Sequence, residues 1–438
     1  MAKAYDLVLI NPAHPYLVHP GAQAPIGLLY LAGAAERAGL SVKIVDLARR
    51  GLDPHAWHLP PGLCYGITGT YLDAPFINSL AREIKEREPD SRVIVGGPVS
   101  LSKDKINQNH VDRLVIGEAE THIKELVSYD HLSPGTPFFC LTGECVDVNA
   151  IPWPARHLWP GKIGGNVFLH DPYFEGPSAT ILSSRGCPWK CAFCASQNML
   201  SRKVRCRDPE DVAAEMEHCV KDFGIRQFRF SDEFLTAHRE HIHGLCRAIW
   251  ASSILGGGQG IAWRASVAVK PNGLEMWQDM RRAGCREVSF GVESADQAVL
   301  DMLNCKKGTT EDARIALENA SAAGLVTRAL LMVGTPGETR HTAAKNIAFL
   351  LSGRYDGVAV AIFTPIPGCA VAENPEAFKC RIKPGALETT GLCLYGPGGK
   401  RNPIAPTIES ELIGDAELGH QMELQVDVAE IAGKIGRG

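Results

Sequence analysis

A chain of 438 residues exceeds what one hydrophobic core usually organises, so two or three domains are expected. With 45% hydrophobic and 21% charged residues it has the make-up of a soluble globular protein, and a formal net charge of -4 gives no electrostatic footprint for nucleic acid. The start MAKAYDLVLINP lacks the apolar core of a secretion signal, no basic cluster suggests a membrane surface and no apolar run is long enough to span one, so a cytoplasmic protein is expected.

Segment 1–132 alternates strand and helix. DLVLI (6–10) reads as a short apolar strand, and IGLLYLAGAAERAG (26–39) has helical periodicity ending on Gly39. SVKIVDL and LCYGITGT follow as strands, FINSLAREIKERE as a helix, then RVIVGGP and RLVIGEAE as strands. Strands separated by helices imply a parallel, Rossmann-like α/β sheet. The loops after its strands carry Gly96, Gly97, Gly117 and Glu118, at the carboxyl ends where open sheets bind ligands; tight strand-to-helix turns would use the same glycines. From 133 to 177 the periodicity fails in a Pro-, Gly- and Trp-rich stretch that reads as a linker.

Alternation resumes over 178–375. ATILSSRG, RQFRFSDEF, GIAWRASVAV, CREVSFGVES, TRALLMVGTPGE and GVAVAIFTPIPG are six strands, separated by helical stretches such as PEDVAAEMEHCVKDFG and EDARIALENASAAG. The pattern fits a closed or partial (β/α)6 barrel of TIM type, whose chemistry belongs at the carboxyl ends of the strands. Segment 376–438 shows no clear pattern and reads as substrate-related or partly disordered.

The densest chemistry lies in SSRGCPWKCAFCASQN (183–198), where Cys187, Cys191 and Cys194 stand in the spacing C-x3-C-x2-C. Fourteen cysteines in a reducing compartment are not a disulfide framework, since most are scattered singly. The clustered three follow the first barrel strand, where thiolates would suit an iron-sulfur cluster. Three ligands leave one iron of a cubane open to a substrate or cofactor, which simple electron transfer would not require. Zinc is the competing occupant, but structural zinc needs a fourth protein ligand and usually shows paired C-x2-C knuckles. No second pair occurs.

At these residues the chain resembles the radical S-adenosylmethionine (SAM) enzymes, whose signature is this spacing with an aromatic or apolar residue, here Phe193, before the last cysteine. The likeness is to the subgroup with an N-terminal cobalamin-binding domain, of class B methyltransferase type, and covers about residues 5–375. NPAHPYLVHPGAQAPIGLLYLAG, VIVGGP, VIGEAET, IPWPARHL, RDPEDVAAEM, FGVES and VGTPGET carry it. The resemblance implies that Cys187, Cys191 and Cys194 hold a catalytic [4Fe-4S] cluster whose open iron chelates SAM, and that one electron breaks a C-S bond to give a 5'-deoxyadenosyl radical. It places Ser231, Asp232 and Glu233 at the methionine ammonium, Glu293 and Ser294 near the ribose and methionine, and Gly334 and Glu338 at the adenine site. A helix N-cap or solvated loop charge is the plainer role for each acid.

In segment 1–132 the same resemblance implies cobalamin, held near Gly96, Gly97, Gly117 and Glu118, with Thr70 and Tyr71 approaching its lower face and Tyr71 a weak axial ligand or, as the favoured reading, a steric wall. The D-x-H-x-x-G of histidine-ligated cobalamin proteins is replaced after the first strand by NPAHPYLVHPG, and DLARRG has Ala48 where the histidine would stand. His238, His241 and His243 are not patterned as a metal site, and Cys305 and Cys369 fall near strand ends where they would face substrate or simply be buried. The leading expectation is a cobalamin-dependent radical SAM methyltransferase acting on an unactivated carbon. A small molecule or peptide would be its substrate, and flavodoxin or ferredoxin its electron donor. A radical dehydratase, cyclase or other rearranging enzyme is the alternative. A methylthiotransferase would need a second cluster from Cys64, Cys140 and Cys145, two of them in the linker, and a cobalamin sensor would have no use for the cysteine triad.

Overall fold

The computed structural model describes residues 5–14, 24–48, 57–128, 139–141, 145–160, 177–270, 272–304, 308–387 and 402–435. The chain divides into two compact units, Met1–Val167 with Asn198–Ser201, and Phe168–Gln197 with Arg202–Gly438.

The first unit contains β1 (Tyr5–Asn11), α1 (Ile26–Arg37), β2 (Val42–Asp46), β3 (Gly62–Thr68), α2 (Ala74–Arg87), β4 (Arg92–Gly96), β5 (Arg113–Ile116), α3 (Ile123–Val127) and β6 (Phe139–Leu141). Its sheet runs β2-β1-β3-β4-β5-β6, and every pairing is parallel. β1 shows why both faces are covered. Val8 and Ile10 enter one core with Ile77, Leu80 and Ile84 of α2, whereas Leu7 and Leu9 enter another with Leu28, Leu29 and Ala32 of α1. A strand buried on both sides reads as a continuous apolar run, as DLVLI does. Because the chain steps from β1 out to β2 and returns to β3 on the other side, the order in which strands are added reverses between β1 and β3. At such a switch point the carboxyl ends of the strands open a crevice.

The stretch 133–177 is more than a linker. It supplies β6, and Ala155 N–H donates to the Leu29 carbonyl at 2.9 Å while Ile151, Ala155 and Arg156 are buried. Proline and tryptophan break helical periodicity in IPWPARHL without preventing that short run from burying itself along α1.

The larger sheet of the second unit is built from six strands, β7 (Ser178–Ile181), β10 (Gln227–Phe230), β11 (Ala262–Ala268), β12 (Cys285–Glu293), β13 (Val326–Val333) and β14 (Gly357–Ile362). Between β7 and β10 lie the small antiparallel pair β8 (Ser184–Arg185) and β9 (Arg205–Cys206) and the helix α4 (Pro209–Phe223). α5 (Arg239–Ala251), α6 (Leu274–Arg282), α7 (Gln297–Met302), α8 (Thr310–Ala322) and α9 (Thr342–Leu351) fill the later connections. The sheet order β14-β13-β12-β11-β10-β7 keeps chain order and is parallel throughout, with β7 and β14 left as edges, so the barrel is partial. α10 (Ala370–Glu373), β15 (Cys380–Ile382), β16 (Ile408–Ser410) and α11 (Asp415–Ile435) complete the unit.

Of segment 376–438, the described residues 376–387 and 402–435 carry regular elements that the sequence pattern did not show. β15 and β16 pair antiparallel, and α11 packs on α9 and β14 with Leu418, Met422 and Val426 buried. Its apolar residues were hard to recognise because buried glutamines, Gln421 and Gln425, interrupt the stripe.

Candidate functional site

The cysteine loop starts where β7 ends and is tied down at both ends. Asp232, just after β10, accepts from Ser183 N–H at 3.1 Å, Ser183 Oγ at 2.8 Å and Ser184 Oγ at 2.6 Å. Glu233 accepts from Gly186 N–H at 3.1 Å, immediately before Cys187. In the middle of the loop, Ala192 N–H donates to the Leu303 carbonyl at 2.8 Å, and the Ala192 carbonyl accepts from Val371 N–H at 3.1 Å. Cys194 N–H closes a turn on the Cys191 carbonyl at 3.0 Å. Ala192 and Phe193 pack into a cluster with Val299, Leu300, Leu303 and Phe363. Cys191 is buried, Cys187 and Cys194 are half-buried, and none of the three is in a disulfide.

Among the described residues no trio of His, Cys, Asp or Glu side chains stands close enough to share one metal ion. Lys270, two residues beyond β11, sets its ammonium 5.5 Å from the ring centre of Trp189, inside the cysteine loop, and 4.8 Å from that of Phe234. This cation–π contact joins the loop to the neighbouring strand ends.

Burial pushes the Asp232 carboxyl above its ordinary range, and the hydroxyls of Ser184 and Ser183 pull it the other way. His241 of α5 reaches the same group, with Nε2 3.1 Å from Ser183 Oγ. Since that hydroxyl donates to Asp232, it accepts from His241 Nε2–H, which fixes the tautomer. Burial holds His241 down to about 4, so the ring is neutral at neutral pH. Asp232 is thus occupied by the chain itself, and Ser231 N–H is spent on the Ile181 carbonyl at 3.0 Å.

The β12 and β13 ends carry the remaining acids. Glu293 is buried at a left-handed φ of 64°, where the register with β13 shifts. Ser294 Oγ donates to Asn346 Oδ1 at 3.2 Å. At Gly334 the backbone is also left-handed. Glu338 is 1% exposed; its Oε1 accepts from Thr335 N–H at 2.7 Å and Thr335 Oγ1 at 3.0 Å, while Oε2 has no hydrogen-bond partner among the described residues. Burial pushes this carboxyl up to about 7. Cys369 does not face a strand-end opening: it is buried and its Sγ accepts from Ala372 N–H at 3.4 Å at the start of α10. Cys305 lies outside the described residues.

In the first unit the switch point between β1 and β3 is lined by a polar chain. Asp46 Oδ1 accepts from Asn11 Nδ2 at 2.8 Å, Asn11 Oδ1 lies 3.1 Å from His14 Nε2, and His14 Nδ1 lies 2.9 Å from Asp73 Oδ1. Asp73 Oδ2 accepts from Thr70 N–H at 2.6 Å and Thr70 Oγ1 at 3.0 Å. Thr70 is therefore a cap on the turn leading into α2, and Tyr71 is buried behind it. Gly97 has φ 78°, and a Cβ there would come within 2.5 Å of Thr68 Oγ1. A Cβ on Gly96 would meet nothing closer than the Val115 carbonyl at 3.6 Å. Gly117 follows β5 at φ 103°, and Glu118 accepts from Val146 N–H at 3.2 Å.

Sequence reasoning missed Ser183, His241, Asn346, His14 and Asp73. His14 had a visible signal, its place just after the first strand, and Asp73 stands three residues after Thr70, to which it is bonded; Ser183, His241 and Asn346 act through partners tens of residues away.

Residues 181–350 match the Radical SAM superfamily. An uncharacterized methyltransferase of Pyrococcus horikoshii is 29% identical over 80% of this chain and 78% of its own length. The anaerobic magnesium-protoporphyrin IX monomethyl ester cyclase of Rubrivivax gelatinosus is 32% identical over 78% of this chain and 64% of its own length. Among solved structures, the radical S-adenosylmethionine methyltransferase TsrM from Kitasatospora setae, with cobalamin and a [4Fe-4S] cluster bound, has the same fold. It superposes with a TM-score of 0.63 at 20% identity, covering 86% of this chain and 79% of that one.

Proposed function

We propose, from the premise that the chain belongs to the radical SAM superfamily through residues 181–350, that it is a cobalamin-dependent methyltransferase acting on an unactivated carbon of a small molecule or peptide. The observation that carries the reading is the cysteine loop, held at the carboxyl end of the first barrel strand by Asp232, Glu233 and the two backbone bonds of Ala192. Three cysteines outside any disulfide, on one anchored loop, fit a cluster with an open iron. On the first unit, Gly96 ends a strand of a sheet with a topological switch point, and a Cβ there would meet nothing closer than 3.6 Å, which suits a flat ring laid against backbone.

When bound, the cluster supplies the electron that breaks a C-S bond of SAM, and cobalamin carries the methyl group. The chain's own part is positioning. Cys187, Cys191 and Cys194 hold the iron, and Phe193 wedges their loop into the core beneath. Glu293 and Ser294 line the methionine and ribose, presented by the left-handed turn after β12. Gly334 and Glu338 border the adenine, with Glu338 kept protonated through much of the acid range by its dry surroundings. Ser231, Asp232 and Glu233 border the methionine end chiefly by fixing the loop that faces it. Gly96, Gly97, Gly117, Glu118, Thr70 and Tyr71 shape the cobalamin face. Flavodoxin or ferredoxin would deliver electrons.

The test is anaerobic reconstitution with iron, sulfide and hydroxocobalamin, followed by SAM and a reductant. One cluster and one cobalamin per chain, with 5'-deoxyadenosine formed and the cobalamin methylated from SAM, are expected. The 32% identity to a cyclase favours a second reading, a radical rearranging enzyme. A chain that cleaves SAM, holds its cluster and never binds cobalamin would establish that reading instead.

A further inference from the structure

The C-terminal helix α11 meets the carboxyl ends of two adjacent barrel strands. At β13, a Cβ on Gly334 would come within 2.7 Å of Met422 Sδ, so strand end and helix touch with no room between them. At β12 the contact runs through polar groups. Asn346 Oδ1 accepts from Ala295 N–H at 2.7 Å and from Ser294 Oγ at 3.2 Å. This commits Asn346 Nδ2 to the other side, where it donates to Gln425 Oε1 of α11 at 2.7 Å. Gln425 Nε2 in turn donates to the Gln421 carbonyl at 3.1 Å, which fixes the orientation of its amide. Ser294 is 1% exposed, and Asn346 and Gln425 are fully buried.

The turn held in this way is a strained one. Glu293 is one of three non-glycine residues with positive φ among the described residues, and Ser294 N–H folds back onto the Val292 carbonyl at 2.8 Å. Such a conformation persists only where its surroundings over-determine it. A buried pair of amides is costly unless every donor and acceptor is used, so apolar packing alone would not select it. The run from Ala295 N–H to the Gln421 carbonyl has a single consistent direction.

We propose that Asn346 and Gln425 are positioning residues for SAM, through which α11 sets the turn that presents Glu293 and Ser294. The inference rests on the reading above that these strand ends meet SAM. It adds that affinity for SAM depends on a helix remote in sequence from every family motif.

The experiment uses the full chain with its cluster reconstituted. SAM dissociation constants come from equilibrium dialysis with labelled SAM, and iron content and the unfolding midpoint are measured alongside. Gln425→Leu and Asn346→Leu should weaken SAM about tenfold, the equivalent of one buried hydrogen bond, at full iron content. Gln425→Glu, protonated in its buried place, keeps an acceptor for Asn346 Nδ2 and a donor for the Gln421 carbonyl, and protonated Asn346→Asp keeps an acceptor for Ala295 and Ser294 and a donor for Gln425 Oε1. These should stay within about threefold of the parent, the span of a modest residual penalty, and they carry the test if a leucine variant fails to fold. Leucine variants that bind SAM like the parent would overturn the inference, as would equal weakening in the leucine and acidic variants. Iron loss in step with SAM loss would overturn it too, by marking a general bracing of the fold. A parent that holds its cluster but binds no SAM would overturn the SAM reading itself, before any substitution is made.

Discussion

Replacing Asp232 with alanine separates a ligand contact from a structural tie. In the structure its carboxylate takes one backbone N–H and two hydroxyls from Ser183 and Ser184, and it is 7% exposed. After the change Ser183 Oγ–H can turn to His241 Nε2 once the neutral ring takes its other tautomer, so the groups left without an acceptor are Ser183 N–H and Ser184 Oγ. Two buried orphans at about 1–3 kcal/mol each give about 2–6 kcal/mol, and removing a carboxylate that burial already disfavours returns part of it. A net loss of about 2–3 kcal/mol is expected, with the segment from Ser183 to Cys187 loosened. Asp232→Asn keeps Oδ1 and should lose about 1 kcal/mol. Urea unfolding of the apo chain reads the stability, and iron per chain after reconstitution reads the loop. Asp232→Ala should bind less iron than the parent, with Asp232→Asn between. Full iron and an unchanged urea midpoint in Asp232→Ala, with 5'-deoxyadenosine formation lost, would refute this reasoning and return the carboxylate to the methionine ammonium.

Changing Cys187, Cys191 and Cys194 together to alanine should abolish reconstituted iron; retention of a cluster in that variant would remove the assignment. Gly97→Ala places a Cβ 2.5 Å from Thr68 Oγ1 at positive φ, so it should lower the unfolding midpoint whether or not cobalamin binds, whereas Gly96→Val should leave the midpoint intact and eliminate cobalamin uptake, read from the visible spectrum. Cobalamin uptake unchanged in Gly96→Val would move the corrin away from β4. Glu338 has its ordinary value of 4.5 raised to about 7, so the folded state keeps a proton that the unfolded state releases between those values. Its contribution is harmless below about 4.5, costs progressively more as pH rises, and reaches about 3 kcal/mol above 7. Glu338→Gln should remove that slope in urea unfolding at pH 5 and pH 8, and an identical slope in the variant would show that another group carries it.

Much of the fold was legible because strands of parallel sheets announce themselves as short apolar runs ended by glycine or a polar turn. All six barrel strands and the first five strands of the other sheet coincide with such runs. β6 did not, since three residues of edge strand have no periodicity to display. α11 did not either, because Gln421 and Gln425 are buried for hydrogen bonding and so erase the apolar stripe by which a helix is recognised. The cysteine triad was visible because its spacing is local. The supports of the site were not: Asp232 meets Ser183 across 49 residues and Asn346 meets Gln425 across 79.

A family pattern locates turns more surely than it assigns contacts, and the carboxyl ends of these strands show why. Asp232 spends its oxygens on the cysteine loop, Thr70 on Asp73, Glu118 on the backbone at Val146, and Glu338 one oxygen on Thr335. Each was singled out as a ligand contact from its position alone, and each has a partner within the chain. A strand end that must present backbone and a few side chains in one geometry needs its turn held rigidly, and a buried acid accepting from the turn's own N–H groups does that efficiently. An acid at such a place is therefore required by the turn before any ligand arrives. Glu293 is different, because its position is marked by backbone strain, and a left-handed glutamate at a break in register gains nothing for the sheet. By that criterion the proposal of a ligand-facing acid at these strand ends rests first on Glu293, at the turn whose next two residues Asn346 binds.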